Sequence, residues 1–120
     1  VTDGAVKYPG DICKFYGCGV DFCISSYMFA GCDECNGDIV EKDNKKYMIH
    51  FGSASKMALD KRGINAEHRT AEGVESLIEC KGPVDDVIRE ICSGIRSSMS
   101  YIGAKRLKEF HKRCEFVRVQ

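Results

Sequence analysis

Three groups of residues in this 120-residue chain have the types that carry out chemistry. The first is the stretch AEHRTAEGVE at 66–75, where Arg69 and Glu72 stand beside Gly73 with no aliphatic run to bury them. An arginine and an acid so placed either have binding and acid–base work or form a surface ion pair worth ~0–1 kcal/mol. The second is Asp3-Gly4, which by residue type alone reads as a plain turn. The third is the set of eight cysteines, of which Cys32 and Cys35 form the one Cys-x-x-Cys. A structural zinc site needs a second ligand pair at compatible spacing, and none follows, so that pair reads as part of a loop with no metal or redox role. His50, His68 and His111 show no ligand spacing either, and no metal is expected.

Composition narrows the setting. Eighteen basic and eighteen acidic side chains balance to a formal net charge of zero, with no basic stripe, which argues against a nucleic-acid partner. A membrane span needs about 18 consecutive apolar residues. The best run, VDFCISSYMFAGC, is shorter and interrupted by serines, so a soluble protein with no membrane partner is expected. The start lacks the ordered parts of a signal peptide. Cys13, Cys18, Cys23, Cys80 and Cys92 fall among apolar residues, where a free cysteine behaves as a small hydrophobe. Together these readings give a reduced, cytoplasmic protein.

The elements that must position these groups follow from pattern. VTDGA reads as the end of a strand and a turn, YPGDICKFYGCG as a short helix with Pro9 in its first turn and Gly17 or Gly19 as its stop, and VDFCIS as a buried strand. Strand, helix and strand at this spacing predict a parallel βαβ unit. DIVEKDNKKYMIHF predicts a hairpin around Asp43-Asn44, SASKMALDKR a helix capped by Ser53 or Ser55, and ESLIECKG a further extended piece. Val84, Val87, Ile88, Ile91 and Ile95 recur at helical spacing after Pro83, and IGAKRLKEFHKR predicts a second helix before the tail EFVRV. Two parallel strands cannot hide their own edges, so either another chain completes the sheet or this chain is a piece of a larger α/β domain.

In order and wording the chain resembles the carboxy-terminal third of the reductase branch of the IMP dehydrogenase and GMP reductase family of TIM barrels. The matching pieces are DGA at 3–5, PGDICKFYGCGVDF at 9–22, EHRTAEG at 67–73, and GPVDDVIREICSGIRSSMSYIGAKRLKE at 82–109. The dehydrogenase branch carries an Arg-Tyr pair in its mobile flap, and no such pair occurs here. The reductase flap has the form Arg-small-small-Glu-Gly, which Arg69-Thr70-Ala71-Glu72-Gly73 fits. The fold so implied is α/β, the C-terminal part of a TIM (β/α)8 barrel with an inserted hairpin and flap and with C-terminal helices. As one partial domain it divides into the last barrel βα units at 1–31, the hairpin, helix and mobile flap at 32–81, and the C-terminal helices and tail at 82–120.

The resemblance also implies a reaction, NADPH-dependent reductive deamination of GMP to IMP and ammonia through a covalent cysteine intermediate. The cysteine, its threonine partner and the ligands of a monovalent cation such as K+ would lie upstream of Val1. Glu72 matches the flap acid that handles the proton of the departing ammonia. Asp3 matches the acceptor for the ribose hydroxyls, with Gly4 and Ala5 beside it. Ser26-Tyr27 stand where the family cradles phosphate with Gly-Gly, and Gly52-Ser53-Ala54 stand where it contacts the base with Gly-Met-Ser. Arg69, Thr70, Ala71 and Gly73 match the flap segment that touches GMP, while His68 and Arg69 would also meet the dinucleotide. Ser97, Ser98, Met99 and Ser100 match a segment that helps hold NADPH, in the family from a neighbouring subunit of a homotetramer. The partners implied are GMP and IMP, the rest of the barrel and further copies of the subunit. Two alternatives stay open: a degenerate nucleotide-binding or assembly module of the same fold, and a dehydrogenase-like enzyme.

Overall fold

The computed structural model describes residues 1–4, 6–52, 55, 58, 63 and 75–119. They form two compact units, Val1–Met28 with Asp85–Gln120, and Phe29–Val84.

In the first unit, β1 (Thr2–Asp3) and β2 (Cys23–Ile24) pair in parallel, Thr2 opposite Cys23 and Asp3 opposite Ile24. The helix α1 (Pro9–Gly17) connects them, so the predicted βαβ unit is present. Pro9 suits the first helical turn, where its missing N–H leaves no partner wanting. The Asp11 carboxylate turns back to accept the N–H groups of Lys7 at 3.1 Å and Tyr8 at 3.0 Å. Those two bonds, followed by the nearby Lys14 charge, hold the Asp11 carboxyl below its usual 3.8. Replacing Asp11 by alanine is therefore expected to cost about 0.5–2 kcal/mol, nearer the lower figure because the site is open to water. A lowered folded-state pKa makes that contribution fully present above pH 3.8 and removes it as pH falls through the lower value. Urea midpoints of the parent and of Asp11→Ala should accordingly differ at pH 7 and converge in acid.

The long helix α2 (Val84–Tyr101) carries Asp85 and Asp86 at its positive end, as its sequence predicts. Val87 is buried, Val84, Ile91 and Ile95 are half-buried, and Ile88 is 44% exposed. Gly94 lies close against the first residue of α1: a Cβ there would lie 2.6 Å from Cβ of Pro9, a rigid ring that cannot swing aside. Gly94→Ala should lose about 1–3 kcal/mol to overpacking and regain about 1 kcal/mol of helix propensity, a net destabilisation of up to about 2 kcal/mol read as a lower denaturant midpoint.

Past α2 the expectation of one helix over 102–113 is corrected. Gly103 takes φ +66°, a left-handed residue that ends α2, and Arg106 is extended, so helical structure restarts only as a 3₁₀ turn (Leu107–Glu109) and then α3 (Phe110–Arg113). Glu109 fixes this restart by accepting Lys105 N–H at 3.2 Å and Arg106 Nε at 2.9 Å. Phe110 is 2% exposed and its ring lies 6.0 Å from that of Tyr16, which fastens α3 to α1.

In the second unit β3 (Ile39–Lys42), β4 (Lys45–Phe51) and β5 (Glu75–Glu79) form an antiparallel sheet in that order. The predicted turn is there: Asp43 and Asn44 have φ +51° and +60°, which the two central residues of a type I′ hairpin require. Among its described residues, Ala30, Gly31, Cys32, Met48, Ser55, Ala58 and Ile78 are buried. Ser55 is the cap of the two serines considered, its Oγ accepting Ala58 N–H at 3.2 Å. The remainder of the predicted helix at 53–62 lies outside the described residues except for Ala58, which is helical.

Candidate functional site

Parallel register decides where the first site residues meet. Because Asp3 faces Ile24, the chain leaves β1 and β2 at the same sheet edge, and Asp3-Gly4 and Ser25-Ser26-Tyr27 emerge there together. Ligands in α/β folds gather at this carboxyl end of the strands. Asp3 and Ser26 are exposed, and Gly4, at φ +78°, has open space where a Cβ would stand, with no heavy atom within 4 Å. An exposed carboxylate and an unshielded backbone therefore stand at one edge, next to Ser26 and Tyr27.

Ser25 stiffens that edge. Its hydroxyl donates to the carbonyl of buried Val6 at 2.8 Å and accepts Met28 N–H at 3.3 Å, tying the loop after β1 to the turn after β2. Tyr27 is half-buried, with Lys7 Nζ 5.4 Å from its ring centroid, close enough for a cation–π contact. Sequence reasoning missed Lys7 and Ser25. For Lys7 the available signal was a lone cation four residues after Asp3, in the loop that the βαβ reading already placed at the strand end.

The segment 97–100 is the last full turn of α2, and its carbonyls close the helix. Ser98, Met99 and Ser100 accept the N–H groups of Ile102, Ala104 and Gly103 at 3.2, 2.9 and 3.3 Å. Ser97 and Ser100 are exposed, while Ser98 and Met99 are half-buried. Ser98 lines a cleft of about 290 Å³ whose walls include Lys14, Tyr101, Phe110 and Phe116. Its lining is mostly apolar, and aromatic walls of this kind suit a flat ring.

In the second unit, Gly52 follows β4 and its carbonyl accepts Ser55 N–H at 2.9 Å, making a tight turn. Ala5, Ser53, Ala54 and the whole flap set His68, Arg69, Thr70, Ala71, Glu72 and Gly73 lie outside the described residues. All eight cysteines are free. Cys18, expected among packed apolar residues, is exposed instead, since it follows the last turn of α1 rather than its inner face. His50 lies on β4, where burial and then the Lys81 charge disfavour its imidazolium. Among the described residues no group of three or more His, Cys, Asp or Glu side chains stands together as a metal site requires.

A parallel βαβ unit with an open Asp-Gly at its strand ends agrees with comparison to known proteins. Residues 1–120 match the family model of the IMP dehydrogenase / GMP reductase domain, and the chain belongs to that family. It is 43% identical over 121 residues to GMP reductase of Escherichia coli (strain SMS-3-5 / SECEC), spanning 100% of this chain and 35% of that one. It is 42% identical over 120 residues to GMP reductase 2 of Homo sapiens, at 99% and 34% coverage. A crystal structure of a cysteine-to-alanine GMP reductase from Trypanosoma brucei in complex with guanosine 5'-monophosphate superposes with a TM-score of 0.85 at 39% identity. That match covers 98% of this chain and 25% of the solved one. The chain thus spans about a third of the length of the curated relatives it matches, and its fold is α/β.

Proposed function

We propose that this chain is the C-terminal part of a GMP reductase, carrying out NADPH-dependent reductive deamination of GMP to IMP and ammonia. The observation that carries the reading is the reductase-type flap, Arg69-Thr70-Ala71-Glu72-Gly73, in a chain that aligns end to end with GMP reductases. The α/β elements are taken as the end of a TIM barrel, divided at 1–31, 32–81 and 82–120. Phe22 and Ile24 are 69% and 52% exposed beside a two-stranded parallel sheet, a class of sheet whose faces are normally covered, which supports the rest of the barrel as a partner. A homotetramer, a cytoplasmic setting and K+ held by residues outside this chain belong to the same proposal. No helix among the described residues is long and apolar enough to cross a membrane.

In this reading Asp3 accepts hydrogen bonds from the ribose hydroxyls, and Gly4 lets backbone N–H groups come close to the nucleotide. Ser26 and Lys7, whose ammonium lies 5.4 Å from the Tyr27 ring centroid, meet the phosphate. Gly52, Ser53 and Ala54 contact the base, and Arg69, Thr70, Ala71 and Gly73 close over it. NADPH, when bound, supplies the hydride for purine C2, and Ser97 to Ser100 with His68 and Arg69 hold it. The cleft beside Ser98, with Tyr101, Phe110 and Phe116 in its walls, supports that part of the reading. Glu72 protonates the departing amine, because ammonia leaves far more readily than amide ion. The thiolate that adds to C2 comes from outside these residues.

One observation favours a second reading, a degenerate binding or assembly module. Where the family has Gly-Gly, Tyr27 places a ring under Lys7 at the strand end. The test is to mix the complete polypeptide containing these residues with GMP and NADPH and follow absorbance of the reduced cofactor. GMP-dependent oxidation with ammonia release supports the enzyme; none from a folded barrel that still binds GMP or its own copies selects the module.

A further inference from the structure

The structure turns Cys32-Asp33-Glu34-Cys35 from a loop fragment into a built dithiol. Cys35 N–H donates to Cys32 C=O at 3.0 Å, closing a four-residue turn. Turns of this kind keep their end Cα atoms within about 7 Å, and disulfides span about 4.4–6.8 Å. The turn is held from both sides within its own unit. Cys32 bridges to Gly82, Asp33 N–H donates to Gly82 C=O at 2.9 Å, and Val84 N–H donates to Glu34 Oε2 at 2.8 Å. Cys32 is 1% exposed, whereas Cys35 is half-buried and its thiol donates to Phe29 C=O at 2.8 Å. Cys35 is thus the more open of the two residues, and Cys32, three positions before it at the other end of the turn, is the shielded one.

We infer that Cys32 and Cys35 are a redox modification site that a low-molecular-weight disulfide converts to an intrachain disulfide. Cys35, as its thiolate, attacks one sulfur of the oxidant, forming a mixed disulfide and releasing one small thiolate. Cys32 then gives its proton to solvent and attacks the Cys35 sulfur, expelling the second small thiolate. The protein loses two protons and two electrons, and the oxidant is reduced to two thiols. Burial first, and neighbouring Cys35 second, push the Cys32 thiol up, which agrees with its role as the resolving and not the entering sulfur. Such a bond in a reducing compartment is transient and regulatory rather than structural.

The test equilibrates the complete native protein with reduced and oxidised glutathione at stepped ratios, quenches in acid, alkylates free thiols and digests with chymotrypsin. Cleavage after Phe29 and Tyr47 separates Cys32 and Cys35 from the other six cysteines. The expected result is a peptide with neither cysteine alkylated and two hydrogens missing, appearing at ratios where the other cysteines are still alkylated. In Cys32→Ser, Cys35 should instead accumulate one glutathione; in Cys35→Ser, Cys32 should remain unmodified in the folded protein. Alkylation of both thiols at every ratio, or a Cys32–Cys35 disulfide that forms only in denaturant, overturns the inference.

Discussion

With Glu72 as the proton donor proposed above, Glu72→Gln is expected to lower kcat for GMP-dependent NADPH oxidation by about 10²–10⁴-fold in the complete enzyme, the usual worth of a positioned general acid. The amide keeps the shape and the hydrogen-bonding reach of the side chain but has no proton to give to the departing amine. An interaction used only as the bond to nitrogen breaks should depress kcat and kcat/KM together, with KM for GMP nearly unchanged. Steady-state rates separate this from a flap that merely closes over the nucleotide, since loss of closing contacts raises KM. Glu41→Gln, on an exposed hairpin strand, serves as the charge control and should leave both constants in place. An unchanged kcat in Glu72→Gln would remove this residue from the proposed chemistry while leaving the family assignment intact.

The parts of this fold that were legible in sequence are those in which local chemistry and tertiary need agree. Asp43-Asn44 sits between two β-rich runs because few residue pairs accept two successive positive φ angles, and the hairpin turns there. Pro83 and the apolar period from Val84 to Ile95 place the start of α2 to within a residue. Where local and tertiary effects part, the sequence misleads. The residues from Ile102 to Arg113 have helical composition, but Gly103 in the left-handed region stops one helix, and Glu109 is engaged with Lys105 and Arg106 just where the next begins. The strand VDFCIS shrinks to Cys23–Ile24 because the ladder has a single short partner.

The site divides in the same way. That Asp3 and Ser26-Tyr27 share an edge follows from a parallel βαβ unit, which spacing alone predicts. That Lys7 lies over Tyr27, and that Ser25 ties Val6 to Met28, depends on loop geometry for which neither periodicity nor propensity carries a signal. The flap residues were recognisable from wording but fall outside the described residues. The kinetic test above addresses their role in the reaction directly.

The second large effect is structural and falls on Gly31. It holds φ +86°, and a Cβ there would stand 2.7 Å from the carbonyl oxygen of Glu79 and 3.4 Å from Cγ2 of Ile78. The first neighbour is backbone, at the end of β5, and cannot rotate away as a side chain could. The same short stretch is bonded on both sides, Gly31 C=O accepting Lys81 N–H at 2.8 Å while Asp33 N–H reaches Gly82 at 2.9 Å, so relieving the clash means breaking those bonds. Gly31→Ala should therefore combine about 1–2 kcal/mol of left-handed strain with about 1–3 kcal/mol of overpacking, roughly 2–5 kcal/mol in all. Against a typical total of about 5–15 kcal/mol, that loss moves a denaturant midpoint far enough to measure easily. Gly82 supplies the control, since it has φ +82° and no heavy atom within 4 Å of a built Cβ. Gly82→Ala should show the strain alone, about 1–2 kcal/mol, and the difference between the two variants isolates the close approach. Equal losses would mean that the chain at 31 and the end of β5 are not in the tight contact that holds the Cys32–Cys35 turn in place.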